Sequence, residues 1–179
     1  ASAERLLIHL KPLEDEGLVQ IWYDRHIRAG ADWLEEIQLA LQRSDVGLVL
    51  VSANFLASEF CQKVEIAQLV ERARLDGLVL VPIVVDYCDW RSRPWLSRLQ
   101  MLPADGKPVV AQKPQSKAWT AVSRALRELF DSLPSPRHPA PDGRASATRV
   151  ENIFSLASAL ARLPRVDERI FGRDPELNF

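Results

Sequence analysis

The sequence predicts an α/β fold built on a parallel β-sheet. Two apolar runs, V-G-L-V-L-V at 46–51 and L-V-L-V-P-I-V-V at 78–85, are typical of strands that helices cover on both faces. Segments with helical periodicity separate these runs, and parallel neighbours require such crossovers. Ligands of open α/β sheets bind beyond the carboxyl ends of the strands, so the loops after Tyr23, Val51 and Val85 are the first candidates for a site.

Composition restricts the class of protein. A chain of 179 residues with 47% hydrophobic and 26% charged residues is typical of one soluble domain with an appendage. The formal net charge of -1 gives no global attraction for nucleic acid or anionic membranes, and no apolar run approaches the roughly 20 residues of a membrane span. Two cysteines suit a reducing compartment, so we expect a cytoplasmic location. Because the chain opens in helical sequence without an initiator methionine, we expect a fragment.

Periodicity and capping residues predict three helices in the first half of the chain. They run from Ala3 to Glu16, from Trp33 to Arg43 with Asp32 as N-cap, and from Ser58 to Leu75 with Ser58 as N-cap. Gly17 and Gly77 end the first and third helices. A short strand, 18–23, precedes a charged loop, 24–32.

The second half of the chain is predicted to be less regular. We expect a loop with a short helix at 86–103, an edge strand from K-P-V-V at 107–110, and a helix at 117–132. Residues 133–148 are rich in proline, which favours an extended tether. A second amphipathic helix is predicted after the tether, with its apolar residues on one stripe: Val150, Ile153, Phe154, Ala157 and Leu160. The expected organisation is a domain at 1–132, a linker at 133–148 and a helix with a tail at 149–179.

Several motifs jointly resemble the bacterial form of the Toll/interleukin-1 receptor (TIR) domain. They are W-Y-D-R-H-I-R-A-G-A-D-W at 22–33, S-D-V-G-L-V-L-V-S-A-N-F-L-A-S-E-F-C at 44–61 and L-V-P-I-V-V at 80–85. Weaker matches, including D-W at 89–90 and D-G-K-P-V at 105–109, continue the resemblance to about residue 132. The resemblance implies a flavodoxin-like sheet of five parallel strands. The family's first strand would lie before Ala1 and would sit centrally, between the strands at 18–23 and 46–51.

The resemblance also implies two functions, cleavage of NAD+ and adaptor-type self-association. In catalytic members a glutamate near the start of the third helix is essential, and the matching residue is Glu65. The family usually has an aromatic residue four positions earlier, whereas here Cys61 holds that position and Phe60 lies five positions before Glu65. This departure leaves the identity of the aromatic partner open.

The remaining site residues are also carried over from the family. The resemblance assigns Asp24, Trp33 and Ser52, together with Phe60 and Cys61, to substrate binding. A loop that mediates assembly in the family corresponds to the segment containing Arg25, His26, Arg28 and Gly30. One carboxylate suffices for the chemistry, because nicotinamide leaves NAD+ as a neutral base and needs no general acid, unlike an ordinary glycoside. NAD+ is therefore expected as substrate, with no metal and no other cofactor.

Each of these residues also has an ordinary structural interpretation. Glu65 fits a solvated position on an amphipathic helix, Trp33 a core or staple residue, and Asp24 the first residue of a turn. The loop at 25–31 equally fits a charged surface segment. Cys61 and Cys88 lack a recognisable His partner, which disfavours nucleophilic catalysis. At the level of the whole domain, the alternatives are a non-enzymatic interaction module and a protein that binds a nucleotide signal without consuming it.

The C-terminal motif F-G-R-D-P-E-L at 171–177 resembles the segment that leads into the nucleotide-binding domain of STAND-type NTPases. This resemblance implies a regulatory NTPase and sensor region beyond Phe179. The expected partners are thus NAD+, further TIR domains and this regulatory region, with no direct binding of nucleic acid and no membrane. Taken together, the resemblances predict a bacterial effector, with a role in defence against phage.

Overall fold

The computed structural model describes residues 2–23, 32–58, 66–133 and 150–155. The helices are α1 (Ser2–Asp15), α2 (Trp33–Arg43), α3 (Ala53–Ala57), α4 (Ile66–Leu75), α5 (Pro94–Ser97) and α6 (Gln115–Ser132). The strands are β1 (Val19–Trp22), β2 (Val46–Val51), β3 (Val79–Val84) and β4 (Val150–Ser155). Single turns of 3₁₀ helix lie at Trp90–Ser92 and Val109–Ala111. None of the helices in these ranges is long and apolar enough to span a membrane.

All described strand pairs are parallel, which confirms the predicted α/β class. The strand order is β1-β4-β2-β3, so the last strand in the chain lies inside the sheet between β1 and β2. A flavodoxin-like sheet has its first strand at this position. The place that the sequence assigned to a strand before Ala1 is therefore occupied by Val150–Ser155 of the chain itself.

A β-bulge explains why Val150–Ser155 is a strand although its apolar spacing predicts a helix. Val150 pairs with Val19 and Ile153 pairs with Ile21, so β4 has one more residue than β1 between these two pairs. The helical prediction is wrong for these six residues. Val150 and Ile153 are three positions apart, as on one face of a helix, but the extra residue of the bulge lets them pair with Val19 and Ile21, which are two positions apart and both buried. Residues 156–163 of the predicted helix lie outside the described residues.

The sheet has a hydrophobic layer on each face. Side chains of β2 alternate between the layers, with Val46, Leu48 and Leu50 on one face and Val49 and Val51 on the other. On the first face α1 and α6 supply the buried residues Leu6, Leu10, Leu13, Trp119, Val122, Leu126 and Phe130. Ala40 of α2, Phe55 of α3 and Leu69 of α4 contribute to the second layer. Burial on both faces is the reason that β2 and β3 are apolar throughout.

The outer edge of β3 is covered by an irregular segment. The backbone N–H of Val84 donates to the carbonyl of Leu102 over 2.8 Å, and the N–H of Leu102 donates to the carbonyl of Pro82 over 2.9 Å. Pro82 and Val84 thus direct their backbone groups away from β2. Because Pro82 faces outward, its lack of an N–H removes no hydrogen bond between β2 and β3. The edge strand predicted at 107–110 is wrong, since Val109–Ala111 is a 3₁₀ turn whose Val110 N–H donates to the Val85 carbonyl over 3.2 Å.

Glycines and caps end most of the predicted helices as expected. Gly17 and Gly77 have φ of 71° and 67°, the left-handed conformation that favours glycine after a helix. The Asp32 carboxylate accepts a hydrogen bond from the backbone N–H of Glu35 over 3.1 Å, which confirms Asp32 as the N-cap of α2. Ser58 is the C-cap of α3. Its predicted role as N-cap of the following helix depends on residues 59–65, which lie outside the described residues.

An ion pair joins the end of α1 to α6. The Arg127 guanidinium donates to both carboxylate oxygens of Glu16, with N–O distances of 2.7 and 2.8 Å. This hydrogen bonding lowers the pKa of Glu16 and raises that of Arg127. The two helices also bury their apolar faces against each other and against the sheet, so the ion pair lies at the rim of an apolar contact.

We predict that Phe154→Pro destabilises the domain. Phe154 is in register with both Trp22 and Gly47, so it has a parallel strand on each side, and proline removes the one ladder bond that the Phe154 N–H donates, whichever strand accepts it. The free energy of unfolding should fall by about 1–3 kcal/mol, the cost of leaving a buried backbone group unpaired. Chemical denaturation followed by circular dichroism measures this difference. Phe154→Val is the strand-compatible control, and an equal denaturation midpoint for the proline variant and the unsubstituted chain would contradict the placement of β4.

We also predict a pH-dependent effect of Glu16→Gln. The folded pKa of Glu16 lies below its ordinary value of 4.5, so the ion pair stabilises the fold above that pH and its contribution is lost as the pH falls through the lowered value. The variant should unfold more easily than the unsubstituted chain at pH 7, and the difference should shrink below pH 4.5. Because both side chains are exposed, the effect is small and salt-dependent. A difference that stays constant from pH 7 to pH 3 would be inconsistent with this origin.

Candidate functional site

The candidate site lies at the carboxyl edge of the sheet. Parallel strands all end at one edge, and the crossover helices that return from it begin there. The topology therefore directs toward this side of the sheet the end of β1, the first residues of α2, Ser52 after β2, and the segment after β3. This is the edge at which ligands of open α/β sheets bind.

Ser52 is the predicted site residue that the structure describes most fully. It follows β2 directly and caps α3, and its hydroxyl oxygen accepts the backbone N–H of Phe55 over 3.2 Å. The Ser52 carbonyl accepts the N–H of Leu56 over 3.0 Å. The hydroxyl oxygen is thus held in one orientation by the helix, while its own proton can be donated to a ligand.

α2 contributes Trp33 to the same edge. Trp33 is the first residue of α2, directly after the capping Asp32. Glu35 and Glu36 lie in the first turn, where the positive end of the helix dipole favours acidic residues. The structure thus places the α2 terminus at this edge, as the sequence predicts for Trp33.

Most of the predicted site residues lie outside the described residues. These are Glu65, predicted to be catalytic, with Asp24, Phe60 and Cys61 for substrate binding and Arg25, His26, Arg28 and Gly30 in the assembly loop. Their roles stay predictions. Chain connectivity does fix two attachment points, because Asp24 follows Tyr23 at the end of β1 and Glu65 directly precedes α4.

The ends of β1 and β2 are staggered. Trp22, the last residue of β1, is in register with Phe154 and through it with Gly47, whereas β2 continues to Val51. Ser52 is five positions beyond Gly47, which corresponds to roughly 16 Å along the strand direction. The end of β1 therefore lies well below the level of Ser52.

Arg93 is a residue at this end of the fold that the sequence did not identify as important. Its Nη2 donates to the carbonyl of Leu56 over 3.1 Å and so ties the segment after β3 to the last turn of α3. Its Nε is buried and has no hydrogen-bond partner among the described residues. The only sequence signal was an arginine beside Pro94 in a loop that also contains Trp90 and Trp95.

The segment after β3 also contains Cys88. Burial, and then the charges of Asp86 and Asp89, raise the pKa of the Cys88 thiol, although a backbone hydrogen bond from Trp90 opposes them. The thiol is therefore protonated near neutral pH and is a poor nucleophile. This agrees with the expectation that Cys88 takes no part in covalent catalysis.

Comparison with known proteins gives a family and one relative of unassigned function. The family model described as TIR domain matches residues 8–118. A protein of Sinorhizobium fredii (strain NBRC 101917 / NGR234), described as uncharacterized protein y4lF, is 33% identical over 144 residues, which are 80% of this chain and 44% of the relative. The chain thus spans less than half the length of that relative. No solved structure gives a significant match.

The match to the family model extends from α1 into α6 and includes β1, β2 and β3. It covers well over half of the chain, and the parallel order of the strands agrees with it. The motifs at 22–33, 44–61 and 80–85, on which the resemblance was based, all lie inside the matched residues. The chain therefore belongs to the TIR domain family.

Proposed function

We propose that this TIR domain hydrolyses NAD+ to nicotinamide and an ADP-ribose product when it is assembled into oligomers. The TIR family includes NAD+-cleaving enzymes, and TIR domains self-associate. The observation that carries the proposal is the family match, which includes the motif at 44–61 and Glu65, the residue that the resemblance assigns to catalysis. Glu65 lies in the crossover between β2 and β3, directly before α4 in the sequence.

The electrostatics of this edge suit a dinucleotide. α2 begins there, and helix N-termini favour the negative charge of a pyrophosphate. The hydroxyl of Ser52 can donate to the same ligand, because its oxygen is already fixed by the Phe55 N–H. An adenine or nicotinamide ring could stack on an aromatic side chain, for which Trp33 is our candidate.

Glu65 is the proposed catalytic residue. As nicotinamide leaves, positive charge develops on the ribose, and a carboxylate close to the ribose stabilises that charge. The same carboxylate can accept hydrogen bonds from the ribose hydroxyls and so fix the substrate. Asp24, Phe60 and Cys61 are proposed to complete the binding site. Nicotinamide departs as a neutral base, so the reaction needs no general acid, metal or further cofactor.

Assembly is proposed to complete the site. Arg25, His26, Arg28 and Gly30 lie in the segment that spans from β1 to α2, where a neighbouring domain could contact it. The second candidate function is an adaptor that assembles through the same segment without NAD+ turnover. Family membership supports both functions equally, and only Glu65 favours the enzyme.

The biological setting is part of the same proposal. We assign the domain to a cytoplasmic bacterial effector that acts in defence against phage. The resemblance of residues 171–177 to the start of a STAND NTPase lies outside the family match and outside the described residues, so a regulatory NTPase stays a prediction. Such a regulator would cluster the TIR domain on activation.

We predict that clustered protein releases nicotinamide from NAD+ and that Glu65→Gln reduces the rate by at least about a hundredfold, as expected when a charge-stabilising group is lost. Protein bound densely to beads through a terminal tag is compared with dilute protein, and nicotinamide is measured by chromatography. Glu71→Gln on the exposed side of α4 is the matched control, because it removes the same charge six positions farther along the chain. Equal turnover by both variants would remove Glu65 from its role. Assembly without turnover in the unsubstituted chain would favour the adaptor.

We further predict that Ser52→Ala lowers NAD+ turnover more than its effect on stability explains. Loss of the cap costs about 1 kcal/mol of unfolding free energy. Ser123→Ala is the control, since it also removes one hydroxyl hydrogen bond, which Ser123 donates to the His9 carbonyl over 3.0 Å between α6 and α1. Denaturation midpoints and the KM for NAD+ are measured for both variants. A raised KM in Ser52→Ala alone is expected, and an unchanged KM in both would exclude Ser52 from substrate binding.

A further inference from the structure

Arg93 has a backbone that hydrogen bonds fix on both sides. Its N–H donates to the Trp90 carbonyl over 3.1 Å, and its own carbonyl accepts the N–H groups of Leu96 and Ser97 over 3.1 and 3.2 Å. Leu96 is buried in the same hydrophobic layer as Phe55 of α3. The segment after β3 is therefore a firm base, from which the Arg93 side chain reaches across to α3.

α3 is too short to be stable by itself. A helix of five residues closes few hydrogen bonds, and its last carbonyls have no partner inside the helix. The Ser52 hydroxyl satisfies the start of α3 by accepting the Phe55 N–H, and the Arg93 guanidinium satisfies its end by donating to the Leu56 carbonyl. Ser52 thus lies between β2 and a helix that Arg93 anchors.

The net stability that Arg93 adds is small. Its Nη2 makes one hydrogen bond to the protein, but its Nε is buried and pairs with no atom of the described residues. A buried donor without an acceptor costs about as much free energy as a hydrogen bond of this kind contributes. Because the two effects oppose each other, stabilisation of the whole fold does not account for this arginine. Its place at the candidate edge, between α3 and the segment after β3, points to a local role.

We propose that Arg93 is a positioning residue for substrate binding, which fixes the last turn of α3 and thereby holds the Ser52 hydroxyl in the orientation that donates to the ligand. The effect runs through α3, because the hydrogen bond described for the Arg93 guanidinium goes to Leu56. This inference rests on the proposed binding of NAD+ at this edge, whereas the anchoring of α3 is independent of it.

Arg93→Met tests the proposal, because methionine keeps much of the side-chain length and none of the donors. NAD+ turnover by clustered protein is measured over a range of substrate concentrations, which separates KM from kcat. We expect KM to rise roughly three- to tenfold, the range for one lost hydrogen bond, and kcat to change less than about twofold. Arg93→Lys should restore KM, since lysine can still donate to the Leu56 carbonyl.

Arg72→Met is the matched control at the opposite edge of the sheet. The Arg72 guanidinium also donates to a backbone carbonyl of another segment, that of Ser44 before β2, over 3.4 Å. The variant loses this bond and the ion pair with Asp76, so it reports the effect of a lost arginine on stability alone. Its KM should equal that of the unsubstituted chain. An equal rise of KM in Arg72→Met and Arg93→Met would overturn the proposal.

A double variant shows whether Arg93 acts through Ser52. If it does, Ser52→Ala and Arg93→Met remove the same contribution, so KM of the double variant is close to that of Ser52→Ala alone. Effects on KM that multiply would show two independent residues and would overturn the proposal. An unchanged KM in Arg93→Met would do the same. So would an Arg93→Met chain that fails to fold, because Arg93 would then be a residue required for the whole fold.

Amide hydrogen exchange separates this inference from the proposed function, because it requires no turnover. Exchange of the Phe55 N–H, which donates to Ser52, should be at least roughly threefold faster in Arg93→Met than in Arg72→Met or the unsubstituted chain. Equal exchange in all three would overturn the anchoring of α3. Faster exchange in a protein that neither binds nor cleaves NAD+ would refute the proposed function, and with it the substrate role of Arg93, while confirming that Arg93 anchors α3.

Discussion

The hydrogen-bonded ladder on both sides of β4 is the constraint on which the arrangement of this domain depends. β1 carries the chain into the segment with Asp24, and β2 leads to Ser52, yet the two strands are joined through β4. A central strand contributes backbone bonds in two directions, so its loss would affect both neighbours at once. The relative position of the ends of β1 and β2 is therefore set by β4, which lies far from both of them in the sequence.

The remainder of the sheet is stabilised by burial. β2 and β3 pair along six rows and lie between two hydrophobic layers, one formed with α1 and α6 and the other with α3 and α4. Gly47 illustrates how close the packing is, because a Cβ at this position would come within 3.1 Å of Leu69 and Leu80. This rigid pair supports Ser52 and the start of α4. At the candidate edge, β2 and β3 are therefore firmly buried, whereas β1 is joined to them, among the described strands, through β4.

The sequence predicted those parts of the fold that depend on local chemistry. Asp32 was identified as a cap because a carboxylate before a helix satisfies free backbone N–H groups, and the buried runs of β2 and β3 are apolar for a similarly local reason. The predictions of secondary structure and of important residues failed where contacts between residues far apart in the sequence determine the local structure. The spacing of Val150 and Ile153 fits a helix until the pairing with β1 introduces a bulge. The short helix α3, which ends at Ser58, was not predicted from the sequence either. Arg93 acts through a carbonyl 37 positions away, which no local pattern reveals.

Pro82 has a consequence for how the sheet could grow. An exposed strand edge with a complete set of donors and acceptors is a template for further strands and for aggregation. Here Leu102 already pairs with the N–H of Val84 and the carbonyl of Pro82 on the outer side of β3, and Pro82 has no N–H to donate. This part of the edge therefore cannot accept a further strand, which protects the domain from uncontrolled growth of the sheet on this side.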